Sequence, residues 1–218
     1  MFKIKPLVAA LLTVAAAQAM AADHTSEQRQ NGVNNVAEVA QSFGSSNMAK
    51  QVQSGWGNDA MVEQTRSSYS SAMQTQDGSF NEADVAQNLS VNSSSVQSQD
   101  GHRNNASVSQ RAVVYSSADQ RQDGSHNVAD TEQNGTYGVE AFIKQKGDGN
   151  AAASYQFAAS GSKTALYQNG DSNDATVNQS FSSSDRALVD QRGGQNDAKV
   201  VQKWSVGSVA EVEQVGTG

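Results

Sequence analysis

The 218-residue chain is acidic, with 22 Asp and Glu against 15 Lys and Arg, and it contains no cysteine. This charge balance argues against nucleic-acid binding, because phosphate backbones are recognised by clustered lysine and arginine. The missing cysteines exclude disulfide bonds. Hydrophobic residues make up only 36% of the chain, which is too few for an ordinary apolar core and makes intrinsic disorder the first alternative to test.

The first 21 residues have the pattern of a secretory signal peptide. Lys3 and Lys5 form a basic start, residues 7–17 form an apolar run, and small residues precede a cleavage position after Ala21, with Ala22 as the alternative. The apolar run is too short to span a bilayer as a helix. We therefore expect an exported protein whose mature part, residues 22–218, has no membrane span.

The remaining sequence repeats every 23 residues, and this period outweighs every other pattern in the chain. Each repeat has an anchor glutamine, a glycine two places later, an asparagine at plus five, an alanine at plus seven and a second glutamine at plus eleven. The anchor glutamines are Gln30, Gln53, Gln76, Gln99, Gln122, Gln145, Gln168, Gln191 and Gln214, and the glycines are Gly32, Gly55, Gly78, Gly101, Gly124, Gly147, Gly170, Gly193 and Gly216. The asparagines are Asn35, Asn58, Asn81, Asn104, Asn127, Asn150, Asn173 and Asn196, and the second glutamines are Gln41, Gln64, Gln87, Gln110, Gln133, Gln156, Gln179 and Gln202. Position-specific residues at a fixed period argue against disorder and for stacked structural units.

Each repeat predicts two short β-strands joined by turns. The segment that ends at the anchor glutamine, as in 187–191, and the segment that follows the asparagine, as in 58–64, both alternate with a period of two. Between them, the glycine and the asparagine are the residue types that best tolerate a left-handed turn conformation. A serine-rich link such as 182–184 predicts a second turn. Proline is missing from the repeats, as strand pairing on both sides requires.

We therefore predict an all-β fold, a two-sheet parallel β-solenoid in which 23-residue strand-turn-strand repeats stack in register as in cross-β amyloid. Residues 22–218 would contain about eight full repeats and a partial ninth, with repeats ~4.8 Å apart. Inward glutamine and asparagine would be costly if unpaired. Stacked identical amides can donate to one another, and we predict such ladders along the anchor glutamines, the asparagines and the second glutamines.

The residue at the inward position two places before the anchor glutamine changes from polar to apolar along the chain. The first five repeats have glutamine there, and the last four have aliphatic residues. We expect the C-terminal half to bury more apolar surface and to assemble more readily. The residues concerned are Gln28, Gln51, Gln74, Gln97 and Gln120, followed by Ile143, Leu166, Val189 and Val212.

One residue after the anchor, Asp77, Asp100 and Asp123 occupy the same outward turn position in three consecutive repeats. Stacked like charges repel one another. Other repeats have neutral or basic residues there, so the turn itself does not require a carboxylate. We interpret the three aspartates as gatekeepers that slow premature stacking.

Nothing in the sequence has the pattern of an active site, a cofactor site or a metal site. No nucleophile elbow, phosphate-binding glycine loop or zinc-protease motif is present. The three histidines, His24, His102 and His126, fall at different positions of the repeat, and Asp148, Asp171 and Asp174 lack the period of a calcium-binding β-roll. We expect a protein that is not an enzyme and that has neither cofactor nor metal.

The repeat A-x-V-x-Q-x-G-x-x-N-x-A-x-V-x-Q resembles the curlin repeat of curli fibre subunits, and the resemblance extends from about His24 to Gly216. It implies a functional amyloid of a Gram-negative bacterium that polymerises with itself into extracellular, pilus-like fibres for biofilm matrix and cell adhesion. The implied partners are a companion curlin subunit, an outer-membrane secretion pore and accessory chaperones. Family ladder positions carry over to the three amide series.

Two features differ from the family pattern. Repeat-like sequence begins almost at once, at 24–30, where family members have a non-repeat segment that the secretion pore recognises. The strand-start serines, as at Ser70, are followed by a small inward residue such as Ala72, which is similar to the minor, nucleating subunit. The number of repeats is more typical of the main fibre component, so both assignments stay open.

A different function is compatible with the same fold. A capped, monomeric β-solenoid could act as an adhesin or present a ligand-binding surface. The terminal repeats of soluble solenoids are atypical and polar, whereas Val212 and Gln214 continue the inward pattern here. The continued pattern favours the fibre subunit, because an uncapped strand edge is a template for the next subunit.

Overall fold

A computed structural model describes residues 23–218, so the predicted signal peptide and both cleavage positions lie outside the described residues. The described chain forms 17 β-strands and no α-helix. No helix among these residues is available to cross a membrane. The strands are β1 Thr25–Val33, β2 Val36–Ser45, β3 Met48–Trp56, β4 Asp59–Ser68, β5 Ser71–Ser79, β6 Glu82–Asn88, β7 Ser94–His102, β8 Asn105–Arg111, β9 Ser117–Ser125, β10 Val128–Asn134, β11 Glu140–Asp148, β12 Ala151–Phe157, β13 Lys163–Asp171, β14 Asp174–Ser180, β15 Arg186–Gly194, β16 Asp197–Lys203 and β17 Val209–Thr217.

The strands divide into two parallel sheets that run the length of the molecule. All odd-numbered strands form a nine-stranded sheet, and all even-numbered strands form an eight-stranded sheet. Every pairing is parallel and joins residues 23 positions apart, as in Gln53 with Gln76 and Ala129 with Ala152. We call one odd strand with the even strand that follows it a rung. This architecture confirms the predicted two-sheet parallel β-solenoid with 23-residue repeats.

The core lies between the two sheets and is filled by every second residue of each strand. Buried alanine and valine from both sheets pack together, since small side chains allow the sheets to approach closely. The core changes along the stack. An N-terminal cluster contains only alanine and valine, such as Val62 and Ala72, whereas the C-terminal cluster adds Ile143 and Leu166. The predicted shift from glutamine to aliphatic residues therefore lies inside the core.

The first turn, from the odd to the even strand, requires two unusual backbone conformations in each rung. The repeated glycine has a φ between +109° and +135°, and from Gly32 to Gly193 a Cβ there would overlap the carbonyl oxygen of the glycine one rung on. The second left-handed residue is not the asparagine, which corrects the expectation from sequence. It is the residue just before it, as in Phe80 before Asn81 and His126 before Asn127.

The second turn is longer than a simple tight turn. In the rung that starts at β5, residues 89–93 connect β6 to β7, with left-handed conformations at Leu89 and Asn92. Ser90 and Ser93 point inward and are fully buried. Val91 forms an isolated parallel bridge with the equivalent residue of the neighbouring rungs, Ser68 and Val114. The core therefore extends into this turn, which the serine-rich sequence did not indicate.

The two kinds of glycine in the turns should respond differently to substitution. In Gly124→Ala the new Cβ would overlap the backbone of Gly147, whereas in Gly135→Ala it would meet nothing within 4 Å. Ala112 and Ala158 already occupy the position of Gly135 in neighbouring rungs, with φ of 51° and 47°. We expect Gly124→Ala to lower the free energy of unfolding by about 3 kcal/mol or more. Gly135→Ala should lower it by about 1 kcal/mol. Urea unfolding followed by circular dichroism measures both, and equal losses would contradict the backbone contact.

Candidate functional site: amide ladders, edges and outer faces

Two series of glutamines form continuous hydrogen-bonded ladders through the core. In the anchor series each Nε2 donates to the Oε1 of the glutamine one rung on, at 2.8–2.9 Å, from Gln30 to Gln214. In the second series, from Gln41 to Gln202, the same bonds measure 2.6–3.0 Å. Both predicted ladders are present without a gap.

Backbone carbonyls of the facing sheet fix the direction of the anchor ladder. Gln76 Nε2 donates its second N–H to the carbonyl of Asp59 at 2.8 Å, and Gln145 Nε2 donates to the carbonyl of Val128 at 2.8 Å. A flipped amide would place its oxygen against these carbonyl oxygens, which is repulsive. In each ladder bond the glutamine nearer the N-terminus therefore donates to the glutamine of the next rung. Each of these amides also hydrogen-bonds to the facing sheet and so links the two sheets.

The asparagine series is stacked, but the amide-to-amide ladder that the sequence predicts is present only in part, from Asn104 to Asn196. From Asn35 to Asn173, each Oδ1 accepts the backbone N–H of the asparagine one rung on, as Asn58 Oδ1 accepts from Asn81 at 3.0 Å. Each Nδ2 donates to a repeat-glycine carbonyl of the next rung, as from Asn81 to Gly101 at 3.1 Å. A bond between the side-chain amides occurs only in the C-terminal rungs, first from Asn127 to Asn104. The short side chain satisfies the turn backbone instead, which explains why asparagine follows the glycine.

A third glutamine ladder was not included in the sequence prediction. It runs from Gln28 to Gln120 with Nε2 to Oε1 distances of 2.9–3.1 Å. The ladder ends where the next inward residue is Ile143, and there Gln120 Nε2 donates to Thr131 Oγ1 at 3.0 Å. Thr131 occupies a position that is valine in most rungs. The inward glutamines were visible in the sequence, and their period is what should have identified this ladder.

A buried carboxylate lies near the C-terminal end of the second turn. Asp185 is 1% exposed and occupies the inward position that is serine in several other rungs. Its carboxylate accepts the backbone N–H of Ser208 at 2.8 Å and the hydroxyl of Ser205. It thereby attaches the last rung to the one before it. This residue was not predicted from the sequence, because an aspartate replaces the strand-start serine of other repeats, such as Ser70, and so breaks the repeat pattern.

Three aspartates and two histidines occupy the surface differently from what the sequence suggests. Asp77, Asp100 and Asp123 stack in register and are exposed, but they lie within strands rather than in a turn. His102 and His126 are neighbours, with ring centroids 5.8 Å apart. In residues 23–218 no group of three or more His, Cys, Asp or Glu side chains is arranged to hold a metal ion.

The outer face of the eight-stranded sheet is strongly acidic at its N-terminal end. We define the acidic face as Glu38, Asp59, Glu63, Glu82 and Asp84, which are exposed on β2, β4 and β6. Within the described chain none of the five forms a salt bridge. Partial burial and the charge of Glu38 raise the pKa of Asp59, and partial burial with Glu82 and Asp59 raises the pKa of Asp84.

The outer face of the nine-stranded sheet is basic at the opposite end. We define the basic face as Lys144, Lys146, Lys163, Arg186 and Arg192, which are exposed on β11, β13 and β15. Lys163 and Arg192 form exposed salt bridges with acidic residues of the same sheet. The other three have no salt bridge within residues 23–218. Phe142, Tyr167 and Leu188 lie among these cations.

The two ends of the described solenoid are open sheet edges. Strands β1 and β17 are the outermost strands of one sheet, and β2 and β16 are the outermost strands of the other. The last strand keeps the inward pattern, with Ala210, Val212 and Gln214 facing the core. Each edge strand has unpaired backbone groups that can accept another parallel strand.

No protein-family model matches the chain, and a search of the curated proteins finds no match. The repeat, the ladders and the surfaces are therefore the features that indicate a function.

Loss of one ladder amide should be far more damaging than loss of its outward neighbour. Gln191 accepts a hydrogen bond from Gln168 at 2.9 Å and donates to Gln214 at 2.8 Å. We expect Gln191→Ala to lower the free energy of unfolding by ~1–3 kcal/mol for each buried amide that it leaves unpaired. Arg192→Ala removes only an exposed side chain and should have little effect. Equal shifts in the urea midpoint would contradict the inward ladder.

Proposed function

We propose that the chain is a secreted structural subunit that polymerises into extracellular, curli-type amyloid fibres for biofilm matrix and adhesion. The observation that carries this proposal is the set of unbroken amide ladders that run to two open sheet edges. When a rung of another copy stacks on the end of the solenoid, it can form the same backbone and side-chain hydrogen bonds as neighbouring rungs of one chain form. The subunit therefore supplies its own binding partner.

The direction of the ladders favours head-to-tail addition of copies. The N-terminal edge presents the Oε1 atoms of Gln28 and Gln30 as acceptors, and the C-terminal edge presents Gln214 Nε2, which also donates to the carbonyl of Asp197 at 2.9 Å. A copy added with the same polarity continues the anchor ladder. Two N-terminal edges would place oxygen against oxygen.

The other parts of the proposal come from the leader and from the curlin resemblance. The pattern at residues 1–21 supports export, and the resemblance supports passage through an outer-membrane pore with accessory chaperones and assembly with a companion subunit. The role is structural rather than enzymatic. The polar, ladder-forming core is suited to that role, because every buried amide gains its partner only in the stacked state.

Incubation of the purified mature chain tests the proposal directly. We expect thioflavin-positive, denaturant-resistant filaments with a fibre-diffraction reflection at ~4.7 Å. A chain in which the repeat glycines Gly78, Gly124 and Gly170 are replaced by valine is the matched control and should not form them. If the wild-type chain stays monomeric and folded for days, the fibre proposal is wrong and the monomeric adhesin or ligand-binding solenoid is supported.

The C-terminal rungs should nucleate assembly more readily than the middle ones. Peptides 139–156 and 185–202 contain Ile143 and Val189 at the inward position two residues before the anchor glutamine. Peptide 70–87 has Gln74 at that position. Apolar burial there contributes about 1.5–3 kcal/mol for each fully enclosed side chain. We therefore expect shorter thioflavin lag times for the first two peptides. A shorter lag for peptide 70–87 would show that the glutamine ladder nucleates better than aliphatic packing.

Neutralising the stacked aspartates should speed fibre formation. Asp77, Asp100 and Asp123 are in register on neighbouring strands, so their charges repel when rungs stack. We expect the triple Asp→Asn variant to shorten the lag at neutral pH and low salt, and added salt to reduce the difference because it screens exposed charges. Glu63→Gln with Glu132→Gln and Glu211→Gln is the control for net charge, because it removes the same number of carboxylates from residues whose register partners carry no charge. An unchanged lag in the triple variant at low salt would exclude a gatekeeper role.

A further inference from the structure

The two outer faces of the solenoid are not covered by any other strand of the described chain, and they differ in charge. The basic face covers three successive rungs, with Lys144 and Lys146 on the sixth, Lys163 on the seventh, and Arg186 and Arg192 on the eighth. Lys163 and Arg192 are paired with Glu140 and Asp190 of the same sheet, so Lys144, Lys146 and Arg186 are the cations of this face without a salt bridge within residues 23–218. Like charges that are not neutralised by opposite ones destabilise the isolated molecule.

The acidic face covers the same number of rungs at the other end and on the other side. Glu38 lies on the first rung, Asp59 and Glu63 lie on the second, and Glu82 and Asp84 lie on the third. None of these five carboxylates forms a salt bridge within residues 23–218. The exposed side chain of Met61 lies among them.

The spacing of the two faces matches, because every rung of one copy has the same rise as a rung of another. If a second copy is shifted along the axis by five rungs, its first three rungs lie beside the sixth, seventh and eighth rungs of the first copy. Five rungs correspond to ~24 Å at ~4.8 Å per rung. Lys144 then faces Glu38, Lys163 faces the rung of Glu63, and Arg186 faces the rung of Glu82.

We propose that two copies of this chain pair side by side, with the basic face of one on the acidic face of the other and a stagger of five rungs. The inference rests on the proposed function, since it makes neighbouring filaments associate laterally. It adds a second interface that does not involve the strand edges. Because both faces are displayed by every subunit, the pairing can repeat along and across a bundle.

Charge and shape argue for a second copy as the occupant. The acidic face has five carboxylates without a salt bridge in the described residues, and the basic face has five cations of which three have none, each set spread over three rungs. A flexible polyanion would bind the basic face but would leave the acidic face without a partner. A second copy places opposite charge against both faces at once.

Paired charge reversals test the inference with full-length mature protein. The basic-reversed variant carries Lys144→Glu, Lys146→Glu and Arg186→Glu, and the acid-reversed variant carries Glu38→Lys, Glu63→Lys and Glu82→Lys. A third variant combines all six changes.

Each single-face variant has a control that changes the same number of charges elsewhere. Glu132→Lys with Asp174→Lys and Asp197→Lys is the control for the acid-reversed variant. Arg29→Glu with Lys50→Glu and Arg121→Glu is the control for the basic-reversed variant. Filament width and axial offset are measured by electron microscopy at low and high salt, and the elongation rate is measured by thioflavin fluorescence.

We expect wild-type filaments to pair at low salt with a ~24 Å offset and to separate at high salt. Each single-face variant should reduce the paired fraction about tenfold, the combined variant should restore it, and both controls should pair like wild type. Elongation should change little in any variant. Single wild-type filaments, failure of the combined variant to restore pairing, or loss of pairing in a control would overturn the inference while leaving the fibre proposal intact.

If no filaments form, the fibre proposal is wrong, and the same variants are compared as soluble proteins by sedimentation. Lateral pairing then predicts a wild-type dimer at low salt that each single-face variant loses and the combined variant regains. A wild-type chain that stays monomeric under these conditions would overturn the lateral interface as well.

Discussion

A buried side-chain amide must find hydrogen-bond partners, and this requirement shapes the whole molecule. An unpaired amide in the core would cost a few kcal/mol, and this chain buries more than twenty glutamines and asparagines. A partner is guaranteed only if an identical amide lies directly above and below. The fixed 23-residue register is therefore a condition for burying the core at all, and a one-residue slip would unpair every ladder together.

The turns exist in their present form because the ladders require perfect stacking. The repeat glycines bring neighbouring backbones so close that no Cβ fits, and the asparagines satisfy the backbone groups that this turn exposes. Substitutions in the core follow the same logic. Where Ile143 ends the third ladder, Thr131 supplies the acceptor that Gln120 would otherwise lack. Ser154 of the sixth rung and Thr164 of the seventh share a hydrogen bond at 2.7 Å.

The repeat, the strands and the inward amides could be predicted from sequence, because each depends only on a period that is visible in one dimension. The role of Asn81 could not, because it depends on where the turn directs backbone N–H and C=O groups. Aromatic stacking was also missed. Trp56, Phe80 and His102 form neighbouring ring pairs at 4.5 and 5.7 Å, but they lie 24 and 22 residues apart. Comparing residues exactly 23 positions apart does not reveal these contacts, because the aromatic residue stands at a strand end in one rung and in the turn of the next.

The repeat does not determine which outward positions carry a charged residue. Inward positions are nearly constant from rung to rung, whereas outward positions vary freely, as in the column that contains Asp123, Lys146 and Asn169. The inward side chains therefore determine how the rungs stack. The outward side chains are free to influence how fast the rungs stack and which surface binds beside them. Both proposed charge effects, the stacked aspartates and the complementary faces, use this freedom.

The central claim is that the ladders connect residues of one chain that are 23 positions apart. Solid-state NMR tests it through correlations between a side-chain Nε2 and the Cδ of the next ladder glutamine. In assembled protein carrying both ¹⁵N and ¹³C on every chain, we expect strong cross-peaks between pairs such as Gln76 and Gln99. When the two isotopes are placed on separate chains and mixed, those cross-peaks should almost disappear, because only subunit junctions contribute. Cross-peaks of undiminished relative strength in the mixed sample, from each glutamine to the same position of another chain, would contradict the solenoid and indicate an ordinary intermolecular amyloid.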